Sequence, residues 1–352
     1  MANMAQAIRL ALHYGEEHLG VKNIFGQDVG PPLGGVFTAT QGLKTTWNTP
    51  LDEKGIVGTA IGIALTGEPC VAEVQFADYI FNTIDLLKLA GNCMWSSNGN
   101  YNLPLVLMTP TGAGIHGSIY HSHSFESWAS RLPGWKIVMP SDPLSAYGLM
   151  LSAIEDPNPV LYLKPKALLR VKGGENIPGV PTDQSQLRKM IDAPLENRDQ
   201  WKPQWPNIKK YNIPIGKGRI IQKGSKVSVI SFGRSLFLCQ NALQKMDPEE
   251  RKCVELIDMM SIYPYDWSLI KSSIAKTHRV LFVNEDTEVT NFAEHLSYRA
   301  TKECFYSLYA PPVVLAGKNL PGIGLHQNLE RATVPQEKDI INTIRDIMLE
   351  QP

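Results

Sequence analysis

Three short stretches of the sequence carry side chains able to do chemistry. The first is Asn48-Thr49-Pro50-Leu51-Asp52-Glu53-Lys54-Gly55, a polar loop entering a helix rich in small residues. Asp52 and Glu53 suit an N-cap and an acidic first turn, which favour the positive end of a helix. Taken alone the stretch reads as that cap, ahead of a carboxylate at the rim of a cleft that handles protons. The second stretch is Gln75-Phe76-Ala77-Asp78-Tyr79, a strand end running into a helix. Ligands of open parallel sheets bind beyond the carboxyl ends of strands, although Tyr79 taken alone reads as a core aromatic. The third, Gly112 to Ser124, sets His116, His121 and His123 in a glycine-rich loop. Three histidines so spaced could ligate zinc, but no HExxH helix or cysteine partner accompanies them. A mobile loop delivering one imidazole for proton transfer is the better reading.

Elements able to hold these stretches can be read from hydrophobic periodicity. Met4 to Leu19 predicts an amphipathic helix stopped by Gly20, and Val21 to Phe25, Pro69 to Phe76, Leu103 to Met108, Ile137 to Met139 and Val160 to Leu163 read as short apolar strands. Helices are expected over Gly55 to Gly67, Tyr79 to Met94 and Pro143 to Ile154. The first of these has glycines at 55, 58, 62 and 67, a composition that lets backbones approach closely, often at a subunit contact. Strands alternating with helices indicate a parallel α/β domain over residues 1–166. Residues 167–211, rich in Pro, Gly, Gln, Asn and charge with Trp201 and Trp205 among the prolines, read as a linker lying on a protein surface. A second α/β pattern fills 212–352: strands at Lys226 to Ser231, Val254 to Asp258, Val280 to Glu285 and Pro312 to Ala316, with helices at Phe237 to Met246, Trp267 to Lys276, Ala293 to Cys304 and Asp339 to Leu349.

Composition narrows the classes of function. The 352 residues hold 34 Lys plus Arg against 34 Asp plus Glu, so no net field attracts nucleic acid. Apolar runs such as Ile61 to Leu65 fall far short of the roughly 20 residues a membrane span needs, so no membrane partner is expected. Met1 to Tyr14 does not resemble a signal peptide. The five cysteines are odd in number and widely spaced, without any CxxC, which fits a reducing compartment. The expected location is the cytoplasm, or the mitochondrial matrix for a eukaryotic source whose transit peptide has been removed.

Several segments occur in a telling order: Gln27-Asp28-Val29-Gly30, Gly34-Gly35-Val36-Phe37, Asn48 to Gly55, Ala72 to Tyr79, His121-Ser122-His123-Ser124, Pro133-Gly134 and Asp156-Pro157-Asn158-Pro159. In order and spacing they resemble the beta subunit of thiamine-dependent 2-oxo acid dehydrogenases, strongly over residues 4 to about 170 and more weakly beyond. The resemblance implies a transketolase-like pyrimidine-binding domain followed by a transketolase C-terminal α/β domain. It implies thiamine diphosphate as cofactor, with Glu53 matching the carboxylate that hydrogen-bonds the 1′ nitrogen of the aminopyrimidine. A carboxylate there favours the imino tautomer, whose exocyclic nitrogen takes the proton from the thiazolium carbon. Leu51 matches the residue beside the aminopyrimidine, Tyr79 its aromatic partner, and Gln75 lies close to the same pocket. His121 matches the loop histidine that assists acyl transfer to the lipoyl arm of a dihydrolipoamide acyltransferase. Asp156 and Asn158 match a loop that in relatives binds structural potassium, whose hard oxygen ligands they could partly supply; the same residues also make an ordinary turn.

The resemblance also implies something missing. No GDG followed by Asn is present to hold magnesium diphosphate, so an alpha subunit must supply that half, and an alpha2beta2 heterotetramer is expected. The small-residue helix is the candidate for its central contact. His123 stands where the family has Gln, Met108 where relatives place Arg and Leu163 where many have Glu, and Asn284 to Asn291 lacks the family's glycines. The expected activity is oxidative decarboxylation of branched-chain 2-oxo acids, with a pyruvate or acetoin enzyme as the alternative. A non-catalytic assembly subunit is the rival of a different class.

Overall fold

The computed structural model describes residues 1–194, 196 and 201–350. Those parts of the expected linker that fall at 195 and 197–200 lie outside the described residues. The chain divides into two compact units, Met1–Thr111 with Arg131–Ile215, and Gly112–Ser130 with Gly216–Pro352.

In the first unit, β1 (Asn23–Gly26), β2 (Thr46–Asn48), β3 (Cys70–Glu73), β4 (Leu105–Thr111), β5 (Lys136–Val138) and β6 (Val160–Pro165) run in spatial order β5-β6-β4-β3-β1-β2. Every neighbouring pair in that order is parallel. β3, β4 and β6 are buried along their whole length, which explains why they read as continuous apolar runs rather than alternating ones. The helices are α1 (Met4–His18), α2 (Glu53–Leu65), α3 (Ile84–Ser96), α5 (Pro143–Ile154) and α6 (Gln184–Ile191). α5 begins where the sequence predicts because Asp142 and Ser145 form a capping box and Pro143 occupies the first turn. Gly148 leaves room for the chain that returns over α5: a Cβ there would lie 2.7 Å from Ile213 Cγ1.

That return explains how residues 167–215 come to belong with the first unit. The Tyr147 hydroxyl donates to Lys209 O (2.9 Å), the Ser152 hydroxyl to Ile213 O (2.7 Å), and Ala5 N to Leu169 O (3.0 Å). Buried Arg9 donates to Ile191 O (2.5 Å) and pairs with Asp192 (2.9 Å), while Trp205 stacks on His13 with centroids 4.1 Å apart. The segment read as a linker is thus strapped down and contains a helix.

The second unit holds α4 (Glu126–Ala129), β7 (Arg219–Gln222), β8 (Val227–Ser231), α7 (Gly233–Lys245), α8 (Pro248–Lys252), β9 (Val254–Asp258), β10 (Ser261–Tyr263), α9 (Trp267–Thr277), β11 (Val280–Thr287), α10 (Phe292–Cys304), β12 (Val313–Gly317), α11 (Gln327–Thr333) and α12 (Glu337–Leu349). Its sheet runs β12-β11-β8-β9-β7, parallel except for the antiparallel β7–β9 pair. Val229, Leu236, Leu243, Leu281 and Ile344 belong to one buried cluster that joins the sheet to α7 and α12. Among the described residues no helix is long and apolar enough to cross a membrane.

Candidate active site

The loops that follow β1, β2 and β3 leave the carboxyl ends of parallel strands in the first unit. Asn48, the last residue of β2, ties two of them together: its Oδ1 accepts Gly30 N–H (2.7 Å) and its Nδ2 donates to Pro31 O (3.0 Å). After the turn Pro50–Asp52, α2 starts at Glu53, two residues earlier than glycine spacing suggests. Leu51 in that turn is 69% exposed. Glu53 Oε2 accepts a hydrogen bond from Asn82 Nδ2 (3.2 Å), and no other partner is present among the described residues.

Asn82 comes from a 3-10 helix, Ala77–Thr83, which replaces the first turns of the helix expected from Tyr79. Tyr79 lies on the same element, edge-on to Phe76 with centroids 5.7 Å apart. Its hydroxyl is held above the usual phenol range by partial burial and then by the charges of Asp78 and Glu53. Gln75 Nε2 donates to Gln27 O (3.3 Å) and Asp28 Oδ2 (3.2 Å), bracing the β1 loop against the β3 loop. The geometry therefore brings Glu53 to the Tyr79 element and adds Asn82, which sequence reading did not single out.

Directly beneath lies a buried ion pair. Glu73, the last residue of β3, and Lys164 on β6 are both 0% exposed and pair through Oε2 and Nζ, while Glu73 Oε1 accepts Val36 N–H (2.9 Å). Met108 sits in register with Glu73 on β4. The cation for Glu73 reaches it from β6, on the far side of β4. Lys164→Met should strand a buried carboxylate and lower stability by about 3–5 kcal/mol, measured by denaturant unfolding. Adding Met108→Arg should recover most of that loss; no recovery would show that Glu73 does not need a cation.

The histidine loop belongs to the second unit. Gly112 has φ +85°, and a Cβ there would fall 2.1 Å from Glu285 Oε1. Gly112 N donates to His123 O (3.0 Å), closing the loop, and His121 Nδ1 lies 3.2 Å from Gly117 O. His116 Nδ1 pairs with Glu330 Oε2 at 2.8 Å, and His123 is exposed. The three histidines thus have separate surroundings, and no group of three His, Cys, Asp or Glu able to hold a metal occurs among the described residues.

The far end of this segment is anchored in the core. Ser127 Oγ accepts Phe292 N–H (2.9 Å), and Glu126 is buried with Oε2 lacking a hydrogen-bond partner among the described residues. Burial, then the negative charges of Asp286 and Glu285, raise the Glu126 carboxyl well above the usual carboxylate range. Glu285 itself is paired with Arg234 (2.9 Å). Because folded Glu126 keeps its proton to higher pH than the unfolded chain does, its contribution to stability is lost as pH rises above the ordinary carboxylate value. Glu126→Gln should remove this loss, so its melting temperature should gain on the parent's between about pH 5 and 8. A constant offset across that range would argue that Glu126 is not neutral in the fold.

Asp156 and Asn158 form a turn in the first unit. Asp156 Oδ1 accepts Asn158 N–H (3.0 Å), and Oδ2 is paired with Lys136 (2.5 Å).

Residues 2–172 match the family described as transketolase, pyrimidine binding domain, and residues 216–340 that described as transketolase, C-terminal domain. The 2-oxoisovalerate dehydrogenase subunit beta 2, mitochondrial, of Arabidopsis thaliana is 33% identical over 97% of this chain and 88% of its own length. The 2-oxoisovalerate dehydrogenase subunit beta of Bacillus subtilis is 32% identical over 92% of each chain. The pyruvate dehydrogenase E1 component subunit beta of Acholeplasma laidlawii is 31% identical over 94% of this chain and 92% of its own. A solved structure titled split gene transketolase, inactive beta4 tetramer, superposes with a TM-score of 0.72 at 16% identity over 100% of both chains, a likeness of fold.

Proposed function

Because the chain belongs to the family of 2-oxo acid dehydrogenase beta subunits, which joins a transketolase pyrimidine-binding domain to a transketolase C-terminal domain, we propose that it acts with an alpha subunit in the thiamine-dependent oxidative decarboxylation of branched-chain 2-oxo acids. The carboxyl group of the substrate leaves as carbon dioxide, and the lipoyl disulfide of a dihydrolipoamide acyltransferase is reduced as it takes the acyl group. The observation that carries this reading is Glu53, at the start of α2 with a single side-chain partner, beside an aromatic element.

The residues present suit the aminopyrimidine half of thiamine diphosphate, which when bound supplies the electron sink for decarboxylation. Glu53 would hold a proton at the pyrimidine 1′ nitrogen, with Asn82 fixing its carboxylate. Leu51 and Tyr79 would flank the ring, and Gln75 would keep the loops beyond β1 and β3 in place. His121 would deliver a proton during transfer to lipoyl. No diphosphate-holding GDG motif is present, so magnesium is assigned to the alpha subunit. A potassium ion at the Asp156–Asn158 turn would depend on main-chain carbonyls, since the Asp156 carboxylate is committed to Lys136.

An alpha2beta2 assembly is supported by the outer face of α2. A Cβ on Gly62 would meet open space and one on Gly58 only Leu86 at 3.8 Å, so packing within this chain does not require either glycine. Leu51, Leu65, Leu89 and Trp95 are exposed in the same unit. Co-expression with its genomic neighbours should bring down an alpha-type chain bearing GDG, and the pair should acylate a lipoyl domain from 2-oxoisovalerate. Tight magnesium-dependent binding of thiamine diphosphate by the lone chain would overturn the division of labour. Faster turnover of pyruvate would move the substrate to the alternative, which the 31% identity of the pyruvate relative keeps in view. A pair lacking turnover would favour an assembly subunit.

A further inference from the structure

We propose that Glu330 is a positioning residue, a clamp that holds the His121-bearing segment of residues 113–123 in its working conformation. This rests on the reading of His121 given above. Glu330 lies on α11 and is only 3% exposed. One carboxylate oxygen accepts Gly114 N–H (2.6 Å) and the other faces His116 Nδ1 (2.8 Å).

Two features make this contact more than packing. First, among the described residues Glu330 has no Lys or Arg partner, and both of its side-chain bonds go to the loop. A buried carboxylate without such bonds would be costly, so carboxylate and loop depend on each other. The neighbouring Glu285 differs: it accepts Ala113 N–H (3.1 Å) but is already held by Arg234. Second, the segment is in a conformation it would not adopt unaided. Positive φ recurs at alternate residues, at Gly112 (+85°), Gly114 (+97°), His116 (+56°) and Ser118 (+59°). For His116 and Ser118 that conformation is unfavourable and persists only when surrounding contacts impose it. Glu330 grips both sides of the turn, at Gly114 and His116, and His121 follows five residues on.

The test uses the assembled heteromer and compares Glu330→Ala, Glu330→Gln, His116→Ala and His121→Ala. Hydrogen exchange of residues 113–123 should accelerate roughly tenfold or more in Glu330→Ala, the scale of a lost charge-assisted bond, while β8 and β11 keep their protection. Lipoyl acylation should fall by about the same factor, with a much smaller loss of decarboxylation to an artificial acceptor. Glu330→Gln retains one acceptor and should recover part of both. His116→Ala, at a half-exposed ring, should give a weaker version without threatening the fold. Unchanged exchange in the segment, or exchange that rises equally in β8 and β11, would overturn the proposal. So would a loosened segment with undiminished acylation when His121→Ala impairs it. If acylation survives in both Glu330→Ala and His121→Ala while the segment loosens, the clamp stands and the role given to His121 fails.

Discussion

Replacing Glu53 by glutamine should leave the heteromer assembled and folded while lowering its turnover by about 10²–10⁴-fold, the range for lost acid–base help. Glu53 is the first residue of α2 and, among the described residues, its side chain accepts one hydrogen bond, from Asn82, so the isosteric change removes charge with little packing. An amide cannot favour a protonated pyrimidine nitrogen as a carboxylate does. Proton exchange at the thiazolium carbon of the bound cofactor should slow in step, and unchanged exchange in the reconstituted variant would remove Glu53 from its assigned role. Asn82→Ala offers a graded companion: it should cost far less, because it loosens the carboxylate without abolishing it.

The second large effect is expected at His121. Decarboxylation needs an electron sink and a dry pocket, whereas reduction of the lipoyl disulfide needs a proton at the departing sulfur. His121→Ala should therefore lower acylation of a lipoyl domain by roughly 10²–10⁴-fold and affect decarboxylation to an artificial acceptor much less. His123→Ala is the internal control, since His123 is exposed. Equal losses in the two variants would sink the assignment.

Much of this was legible in the sequence, and the reasons differ from residue to residue. The start of α5 follows from a capping box with proline, and β9 from a short stretch centred on Val254, Leu256 and Ile257, both local signals. β2 left no such signal: Thr46–Asn48 is a half-exposed edge strand of three residues with no hydrophobic pattern. α6 lies in a polar stretch whose composition argues for a loop, and its hold on α1 through Arg9 comes from far along the chain. Glu53, Tyr79 and His121 could be singled out because each lies in a short motif in register with others. Lys164 and Glu330 could not, since their partners Glu73 and Gly114 stand 91 and 216 residues away.

The membership of residues 112–130 in the second unit bears on biosynthesis. The segment interrupts the first unit in sequence, yet its partners Glu285, Phe292 and Glu330 are all encoded more than a hundred residues later. At about 5–20 residues per second, it leaves the ribosome many seconds before Glu285 is made and waits longer still for Glu330. Through that interval, Glu126 has no core to enter. A nascent chain arrested near residue 215 should therefore present a protease-sensitive 112–130 segment within an otherwise protected first unit, and a holdase that shields this stretch would raise the yield of full-length protein.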